Sequence, residues 1–270
     1  GSKLYNVENA DEVYRVVPLD IYTPLDMRAP GGATGVHALE TAMDELACEL
    51  KMDPLELRLL NYTDEDKAKG KPFSSKALRA CYQQAAERFG WSRRNPEPRS
   101  TREGSQLIGS GMATGIWDAL QFPARAKATL TADLKLEISS ATADIGTGTY
   151  TIMTQIAAEE LGLPMENVTA KLGDSDLPFS FIEGGSATAA SQGAAIQQVC
   201  KKLRKKLLSE AGKLKDSPFR GADLDDVVFQ EGEIRHADDP AVSLPLPKLF
   251  AKRKIDRISK KATGLPNLLK

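Results

Sequence analysis

The amino-acid sequence predicts an α+β fold. Segments with the spacing of amphipathic helices are mixed with short β-branched segments, without the regular β-α-β alternation of a doubly wound sheet. The 270 residues are 41% hydrophobic, which is enough to fill the core of one large domain or of two ordinary ones. This composition argues against collagen-like, disulfide-scaffold and disordered proteins.

The first part of the chain is expected to be mainly helical. Residues 13–24 are rich in β-branched and aromatic types and predict an extended segment, which leads into a glycine-containing loop at 26–35. A helix should follow, because apolar residues recur there at spacings of three and four and would form one stripe. The members of this stripe are Val36, Leu39, Met43, Leu46 and Leu50.

Two further helices are predicted before the first break in the chain. Asp53 and Pro54 supply an N-cap and a first-turn proline for a short helix. Ser74 or Ser75 can cap the next one, which Gly90 would end. The apolar face of that helix is expected to consist of Leu78, Cys81, Ala85 and Phe89.

A linker is predicted at residues 93–106, which contain two prolines and four arginines and have no apolar period. It would separate a helical substructure at 3–92 from an α+β substructure at 107–270. The expected elements of the second substructure are strands in 107–117 and in 125–142 with a turn near Asp133, a helix at 151–161, a strand at 167–172, a helix at 186–208, a hairpin at 227–235 closed at Glu231 and Gly232, and a final helix at 247–254.

The charges give no sign of nucleic acid as the main partner, since 36 basic residues face 37 acidic ones. Their distribution is uneven: residues 200–270 hold 17 basic and 10 acidic residues, and the preceding part is acidic. Three cysteines lie far apart without a CxxC pair, which fits a reducing compartment and indicates neither a disulfide framework nor a cysteine zinc site. Without a membrane-span or signal-peptide pattern, a cytoplasmic location is expected.

Several common catalytic motifs are missing from the sequence. It contains no GxGxxG, GxxxxGK[ST], GxSxG or HExxH pattern, and its two histidines, His37 and His236, are expected to be ordinary surface or packing residues. Three glycine-rich loops remain, at 27–35, 144–151 and 181–191, each between a predicted strand and a predicted helix. Such a loop can bring backbone N–H groups to an anion, although one taken alone is more typical of a tight turn.

Taken together, these loops resemble the molybdenum-binding large subunits of the xanthine dehydrogenase and aldehyde oxidase family. The resemblance rests on MRAPGG followed by ALETAMDELACELKMDPLELRLLN, on GSGMATGIW, on DIGTGTYT, and on the segment that ends in FIEGGSATAASQGAAI. It covers nearly the whole chain, and the loop sequences are most similar to bacterial aldehyde-oxidising members. It also implies the fold of the two molybdopterin-binding substructures of that family.

The resemblance implies a molybdenum hydroxylase. In that family a molybdenum-bound hydroxide attacks an aldehyde or an N-heterocyclic carbon, hydride passes to a sulfido ligand, and electrons leave through iron–sulfur and FAD domains or subunits. The cofactor is a molybdopterin, in bacterial relatives commonly in the cytosine dinucleotide form. Arg28 matches the arginine that faces the substrate, where a fixed guanidinium can stabilise a developing oxyanion. The alternative for Arg28 is a surface salt bridge.

Two of the loops match the family's cofactor-binding positions. Gly146, Thr147 and Gly148 match the loop that grips the pterin, where many relatives have glutamine in place of Thr147. The loop beside the molybdenum ligands is matched by Gly184, Gly185 and Ser186, and Ser186 can also cap the next helix. For Trp117 and Phe181, a place in the core is a stronger expectation than one in the substrate funnel.

The sequence also departs from the family pattern. It has no Gly-Glu-Pro type motif to supply the family's base glutamate, and the glutamine-and-glycine loop of the first half of the subunit is missing. The opening Gly-Ser is typical of a tag remnant. We therefore expect a fragment of a large subunit that is inactive alone and that binds the rest of that subunit. The alternatives are a non-catalytic binding or assembly module whose basic C-terminal region docks an anionic partner, and export with a partner subunit to the periplasm.

Overall fold

The fold is seen in a computed structural model, which describes residues 3–266 except 12, 24, 26 and 74. The chain divides into two compact units, Gly1–Trp117 and Asp118–Lys270. Residues 93–106 thus lie within the first unit. The described residues form six α-helices and eleven short strands arranged in four small sheets, which confirms the α+β fold class.

The first unit is built from helices and two very short strand pairs. Its elements are α1 (Gly32–Leu50), α2 (Pro54–Leu60), β1 (Glu65–Asp66), β2 (Lys71–Pro72), α3 (Leu78–Phe89), β3 (Arg102–Glu103) and β4 (Gln106–Leu107). Strand β1 pairs with β2 and β3 pairs with β4, both antiparallel.

The cap predicted for α2 is confirmed. Asp53 Oδ1 accepts hydrogen bonds from the N–H groups of Leu55 (2.7 Å) and Glu56 (3.4 Å), and Pro54 occupies the first turn. The cap predicted for α3 is wrong for Ser75, because Ala77 is the N-cap and no side chain caps the helix. Ser74 lies outside the described residues.

The apolar stripe predicted for α1 is wrong at Leu46 and Leu50, while its other members, Val36, Leu39 and Met43, are partly buried. Leu46 and Leu50 are about half exposed, whereas Glu40 and Ala47 are buried. The helix turns its Glu40 side inward because that carboxylate finds a buried guanidinium partner. The apolar face predicted for α3 is also wrong. This helix buries the side that carries Tyr82 and leaves the predicted apolar face largely exposed.

The predicted strand at 107–117 is also wrong beyond Leu107. Residues 108–117 pair with no strand in the described part of the chain. Side chains hold this backbone instead: Thr114 N–H donates to Glu40 Oε2 (2.7 Å), and Met112 C=O accepts from Arg58 (3.4 Å). The extended segment at 13–24 likewise forms no strand where it is described.

The second unit contains a mixed four-stranded sheet and an antiparallel three-stranded sheet, together with two long helices. Its elements are β5 (Ala124–Thr131), β6 (Leu136–Ser139), α4 (Thr149–Leu161), β7 (Val168–Lys171), α5 (Thr188–Gly212), β8 (Val227–Gln230), β9 (Glu233–His236), β10 (Ser243–Pro245), α6 (Leu246–Arg253) and β11 (Arg257–Gly264). The strand–helix–strand order predicted between 125 and 208 is confirmed.

The main sheet has the strand order β11-β5-β6-β7, and only β6 and β7 run parallel. Alternate residues of β5 are buried, from Ala124 to Leu130, because the helices α4 and α5 cover that face of the sheet. The small side chains let α5 lie close to the strands. At Gly264 in β11, an added Cβ would collide with the backbone of Ala194 and Ala195 in α5.

The second sheet has the order β10-β9-β8 and is antiparallel. Its hairpin turns at Glu231 (φ 53°) and Gly232 (φ 73°), as predicted, with the left-handed geometry of a two-residue loop. The helix predicted at 247–254 corresponds to α6. Strand β11 was not predicted. It follows α6 and forms an edge of the main sheet.

Candidate functional site

The first glycine-rich loop of the second unit joins β6 to α4 and is organised by one carboxylate. Asp144 Oδ1 accepts hydrogen bonds from the N–H groups of Gly146 (2.9 Å), Thr147 (3.0 Å) and Gly148 (3.2 Å). Its Oδ2 accepts from Tyr150 N–H (3.4 Å) in the first turn of α4. The backbone donors of the loop therefore point to a side chain of the same loop.

These donors also set the protonation state of Asp144. Burial alone would raise the pKa of this carboxyl, but the N–H groups of Gly146, Tyr150, Gly148 and Thr147 hold it below its usual value. Asp144 is therefore an anion at neutral pH.

The glycines of this loop are required by backbone conformation rather than by crowding. Gly146 has φ 93° and Gly148 has φ 81°, a region that side chains with a Cβ rarely adopt. A Cβ added at either position would meet no atom within 4 Å among those described. The outer surface of the loop is thus open, and Thr147 is exposed on it.

The second glycine-rich loop lies beside the first. Glu183 Oε1 accepts a hydrogen bond from Ala143 N–H (3.0 Å), which fixes the start of one loop to the other. The next residues, Gly184, Gly185 and Ser186, are exposed. The loop leads into α5, so the contact between Glu183 and Ala143 joins the two glycine-rich loops that precede α4 and α5.

The start of α5 carries no side-chain cap. Ala187 is the N-cap, and Ser186, with φ 54°, makes no capping hydrogen bond, so the capping role considered for Ser186 is wrong. Gly185 also has a positive φ, at 62°. A helix start without a cap leaves backbone N–H groups to be satisfied by water or by a ligand.

Polar and aromatic contacts hold the residues on either side of this second loop. Gln192 Nε2 donates to Ser180 Oγ (2.5 Å), and Ser191 Oγ accepts from Phe122 N–H (2.9 Å). The Phe181 ring stacks on Phe122 with centroids 4.0 Å apart. Phe181 is 37% exposed, so the expectation that it lies in the core is wrong.

Two buried polar atoms beside these loops have no hydrogen-bond partner among the described residues. They are Thr142 Oγ1, in the residue before the loop that begins at Ala143, and Gln192 Oε1, in the side chain that holds Ser180. Both residues are fully buried. Orphaned acceptors and donors of this kind are costly unless water or a ligand meets them. Together with the open loop surface, they fit a polar organic group with hydrogen-bonding edges.

Arg28 belongs to the first unit and precedes α1. It is exposed and forms no ion pair with any residue that the structure describes. The loop around it turns at Ala29 (φ 57°) and Gly31 (φ 68°). The ring of Trp117 lies against the start of α1 so closely that a Cβ on Gly32 would be 2.7 Å from it.

Trp117 is 42% exposed, and therefore it is not a core residue as expected.

A buried charge network underlies α1, and sequence reasoning missed it. Arg58 Nε donates to Glu40 Oε2 (2.8 Å), and Tyr5 Oη donates to Glu40 Oε1 (2.5 Å). The hydroxyls of Tyr82 and Thr114 also form a hydrogen bond. Burial would raise the pKa of Glu40, but the donors Tyr5, Thr114 and Arg58 lower it below its usual value. The sequence contains one signal for this network, because Arg58 is the arginine of the DP-x-x-x-R pattern.

Asp144 and Glu183 were also missed as functional candidates. A D-x-G pattern is typical of a side chain that bonds to the backbone two residues on, so the sequence did contain a signal for Asp144. Glu183 had none, because its partner is 40 residues away. Within the described ranges there is no group of three or more His, Cys, Asp or Glu side chains placed to hold a metal ion.

None of the helices found in the described residues combines the length and the apolar character needed to cross a membrane.

Comparison with known proteins gives matches along most of the chain. Two families, both described as molybdopterin cofactor-binding domain, match residues 84–265 and residues 1–62. The aldehyde oxidoreductase molybdenum-binding subunit PaoC of Escherichia coli K12 is 40% identical over 210 residues, which are 77% of this chain and 29% of that protein. The xanthine dehydrogenase molybdenum-binding subunit of Escherichia coli O157:H7 is 29% identical over 198 residues, or 68% of this chain and 26% of that protein.

Solved structures show the same fold at lower identity. Quinoline 2-oxidoreductase from Pseudomonas putida 86 matches with a TM-score of 0.67 and 22% identity, over 89% of this chain and 34% of that one. A Cu,Mo-CO dehydrogenase matches with a TM-score of 0.64 and 18% identity, over 88% of this chain and 33% of that one. The chain thus spans about a third or less of the proteins that it matches. Since one family match alone covers residues 84–265, the chain belongs to the molybdopterin cofactor-binding domains of the xanthine dehydrogenase and aldehyde oxidase family.

Proposed function

We propose that this chain is part of the large subunit of a molybdenum hydroxylase and that its second unit holds one side of the pterin cofactor. The observation that carries the proposal is the hydrogen bond from Ala143 N–H to Glu183 Oε1, which joins the two glycine-rich loops that lead into α4 and α5. Both loops lie inside the family match at 84–265. The residues proposed to contact the cofactor are Gly146, Thr147, Gly148, Gly184, Gly185 and Ser186.

The role of these residues is to bind and orient the cofactor. When bound, the cofactor supplies the molybdenum centre at which an aldehyde or an N-heterocycle is oxidised. Thr147 presents a hydroxyl on the open loop surface, and the uncapped start of α5 presents backbone N–H groups suited to a phosphate. We propose the cytosine dinucleotide form of the pterin, because the loop sequences resemble those of bacterial aldehyde oxidoreductases.

Arg28 is proposed to face the substrate. Its guanidinium is exposed and has no ion-pair partner among the described residues, so it is available to stabilise negative charge on a substrate oxygen. A lysine would do so less well, since it lacks the planar pair of donors.

We further propose that the chain is one portion of a larger subunit and is inactive by itself. Nine apolar side chains in the segment 13–27 support this, because each of them is at least 65% exposed. An apolar surface of this kind is typical of an interface that another protein segment buries. They are Val13, Tyr14, Val16, Val17, Leu19, Ile21, Tyr22, Leu25 and Met27. The cover would be the rest of the large subunit, which would also supply the base glutamate. Iron–sulfur and FAD subunits or domains would accept the electrons.

The experiment is to express the chain in a bacterium that makes molybdopterin and to measure molybdenum, pterin and aldehyde oxidation per polypeptide. We expect at most substoichiometric molybdenum and no turnover for the chain alone. Coexpression with the remaining large-subunit sequence of its parent gene should restore both. Full molybdenum occupancy with turnover in the isolated chain would refute the proposed division of the site.

A second candidate function is a non-catalytic docking module with the same fold. The observation in its favour is a basic cluster at one end of α5: Lys206, Lys213 and Arg253 surround the buried Glu210. If a parent gene codes for no further large-subunit sequence and the chain binds anionic partners in low salt, this function is favoured.

A cytoplasmic location is proposed for either function, with export alongside a partner subunit as the alternative. Cell fractionation separates the two.

A further inference from the structure

We propose that Asp144 is a positioning residue that shapes the pterin loop from inside, so that the loop meets the cofactor through Thr147 and not through its backbone N–H groups. This inference rests on the proposed function of the loop. It concerns how the loop is held and which of its groups remain available for a ligand.

The hydrogen-bond geometry supports an internal organiser. Three successive N–H groups, of Gly146, Thr147 and Gly148, converge on the single oxygen Oδ1 at 2.9, 3.0 and 3.2 Å. Convergence of this kind is what a bound phosphate oxygen would otherwise receive in a glycine-rich anion-binding loop. Here the carboxylate occupies that place, and the loop conformation is complete without a ligand.

The neighbouring contacts hold Asp144 from both sides. Ala143 N–H, one residue earlier, is fixed by Glu183 (3.0 Å), and Tyr150 N–H, in α4, bonds to Oδ2 (3.4 Å). The carboxylate therefore connects the loop to the helix that follows it, while Glu183 connects it to the second loop. Movement of Asp144 would loosen all three elements together.

The outward side of the loop is left with few polar groups. Thr147 is exposed, and its hydroxyl lies 3.4 Å from that of Thr149. The glycines on either side leave open space around it. Ile145 and Tyr150 are also exposed on this loop, but Thr147 is the polar side chain that stands between its two glycines and can reach a cofactor edge there. An added anion, by contrast, would have to displace Asp144 and overcome the repulsion of its negative charge.

The test uses the free chain and amide hydrogen exchange of residues 146–150. Asp144→Ala should speed exchange there about tenfold, because the acceptor is lost. Asp144→Asn should stay within about threefold of the parent, since its amide oxygen can replace Oδ1 while the charge is gone. Asp174→Ala is the matched control, because Asp174 accepts from Asp176 N–H (2.9 Å) in an exposed turn elsewhere in the second unit. Equal exchange in the parent and Asp144→Ala would overturn the proposal.

A second readout uses inorganic phosphate and NMR, and a purely structural role would not affect it. In the parent, phosphate should leave the amide signals of Gly146, Thr147 and Gly148 unchanged; a saturable shift of these signals would overturn the proposal. In Asp144→Ala they should shift, because the donors are released. If Asp144→Ala fails to fold, the parent titration and Asp144→Asn decide. If the amides of residues 146–150 are protected but the chain does not bind pterin, the proposed function is contradicted and the positioning role of Asp144 is not.

Discussion

Glu183 Oε1 accepts a hydrogen bond from Ala143 N–H at 3.0 Å and so joins two loops whose residues are 40 positions apart in the chain. Each loop leads into a long helix of the second unit, α4 or α5. Their glycines can contribute to one site only if the loops keep a fixed separation. This contact helps to fix it, together with the backbone hydrogen bond from Ala141 N–H to Pro178 C=O (2.7 Å).

Removing the Glu183 carboxylate should uncouple the two loops. In Glu183→Ala, the Ala143 amide loses its acceptor and should exchange about tenfold faster, as should the amides of 184–187. Glu183→Gln keeps an acceptor oxygen and should resemble the parent. Exchange mass spectrometry on the peptides that span both loops measures this. Glu166→Ala, at an exposed position between α4 and β7, is the control. Unchanged exchange in Glu183→Ala would show that other contacts hold the loops.

Removal of one partner from the buried ion pair of the first unit should destabilise that unit strongly. Arg58→Met leaves the buried Glu40 carboxylate without its cation and should lower the free energy of unfolding by about 3–5 kcal/mol. Urea denaturation followed by tryptophan fluorescence measures the loss. Lys67→Met removes a partly exposed pair with Glu65 (2.6 Å) and should cost only about 0–1 kcal/mol. Similar losses in the two variants would contradict this account of the pair.

The pH dependence of stability should reveal Glu210. Hydrogen bonds from Lys206, Lys213 and Arg253 lower the pKa of this buried carboxyl from 4.5 to about 2. Its folded-state pKa is depressed, so its contribution is fully present above about pH 4.5 and is lost as the pH falls from there toward 2. Glu210→Gln should flatten this part of the profile of unfolding free energy against pH. An unchanged slope between these pH values would contradict the shift.

The elements of the second unit could be predicted from the sequence to a large extent, and so could the three helices of the first unit, but not the faces that those helices bury. In the second unit, short strands end at clear turn residues such as Glu231 and Gly232, and α4 and α5 bury the small and apolar residues that predicted them. In the first unit, periodicity placed Leu46 inside and Glu40 outside, and the reverse holds. Arg58, which lies outside α1, decides that orientation, and the periodicity within α1 does not reveal it.

The candidate site shows the same limit. Its glycines could be found because a left-handed backbone at Gly146 and Gly148 is a local requirement. Of the two carboxylates that organise the loops, Asp144 has a local signal in its D-x-G pattern, whereas Glu183 could not be assigned a role without the fold, since it acts on a residue far away in the sequence. Strand β11 was not predicted because its basic residues, which are common on edge strands, obscure the alternation of buried and exposed positions.

An amide-resolved NMR titration of the chain with molybdopterin shows whether both loops of the second unit contact the pterin. We expect shifts confined to residues 143–149 and 183–190, and an affinity for molybdopterin that falls when Glu183→Ala uncouples the loops. Binding that shifts signals elsewhere and leaves both loops unchanged would contradict it, as would binding that Glu183→Ala does not weaken.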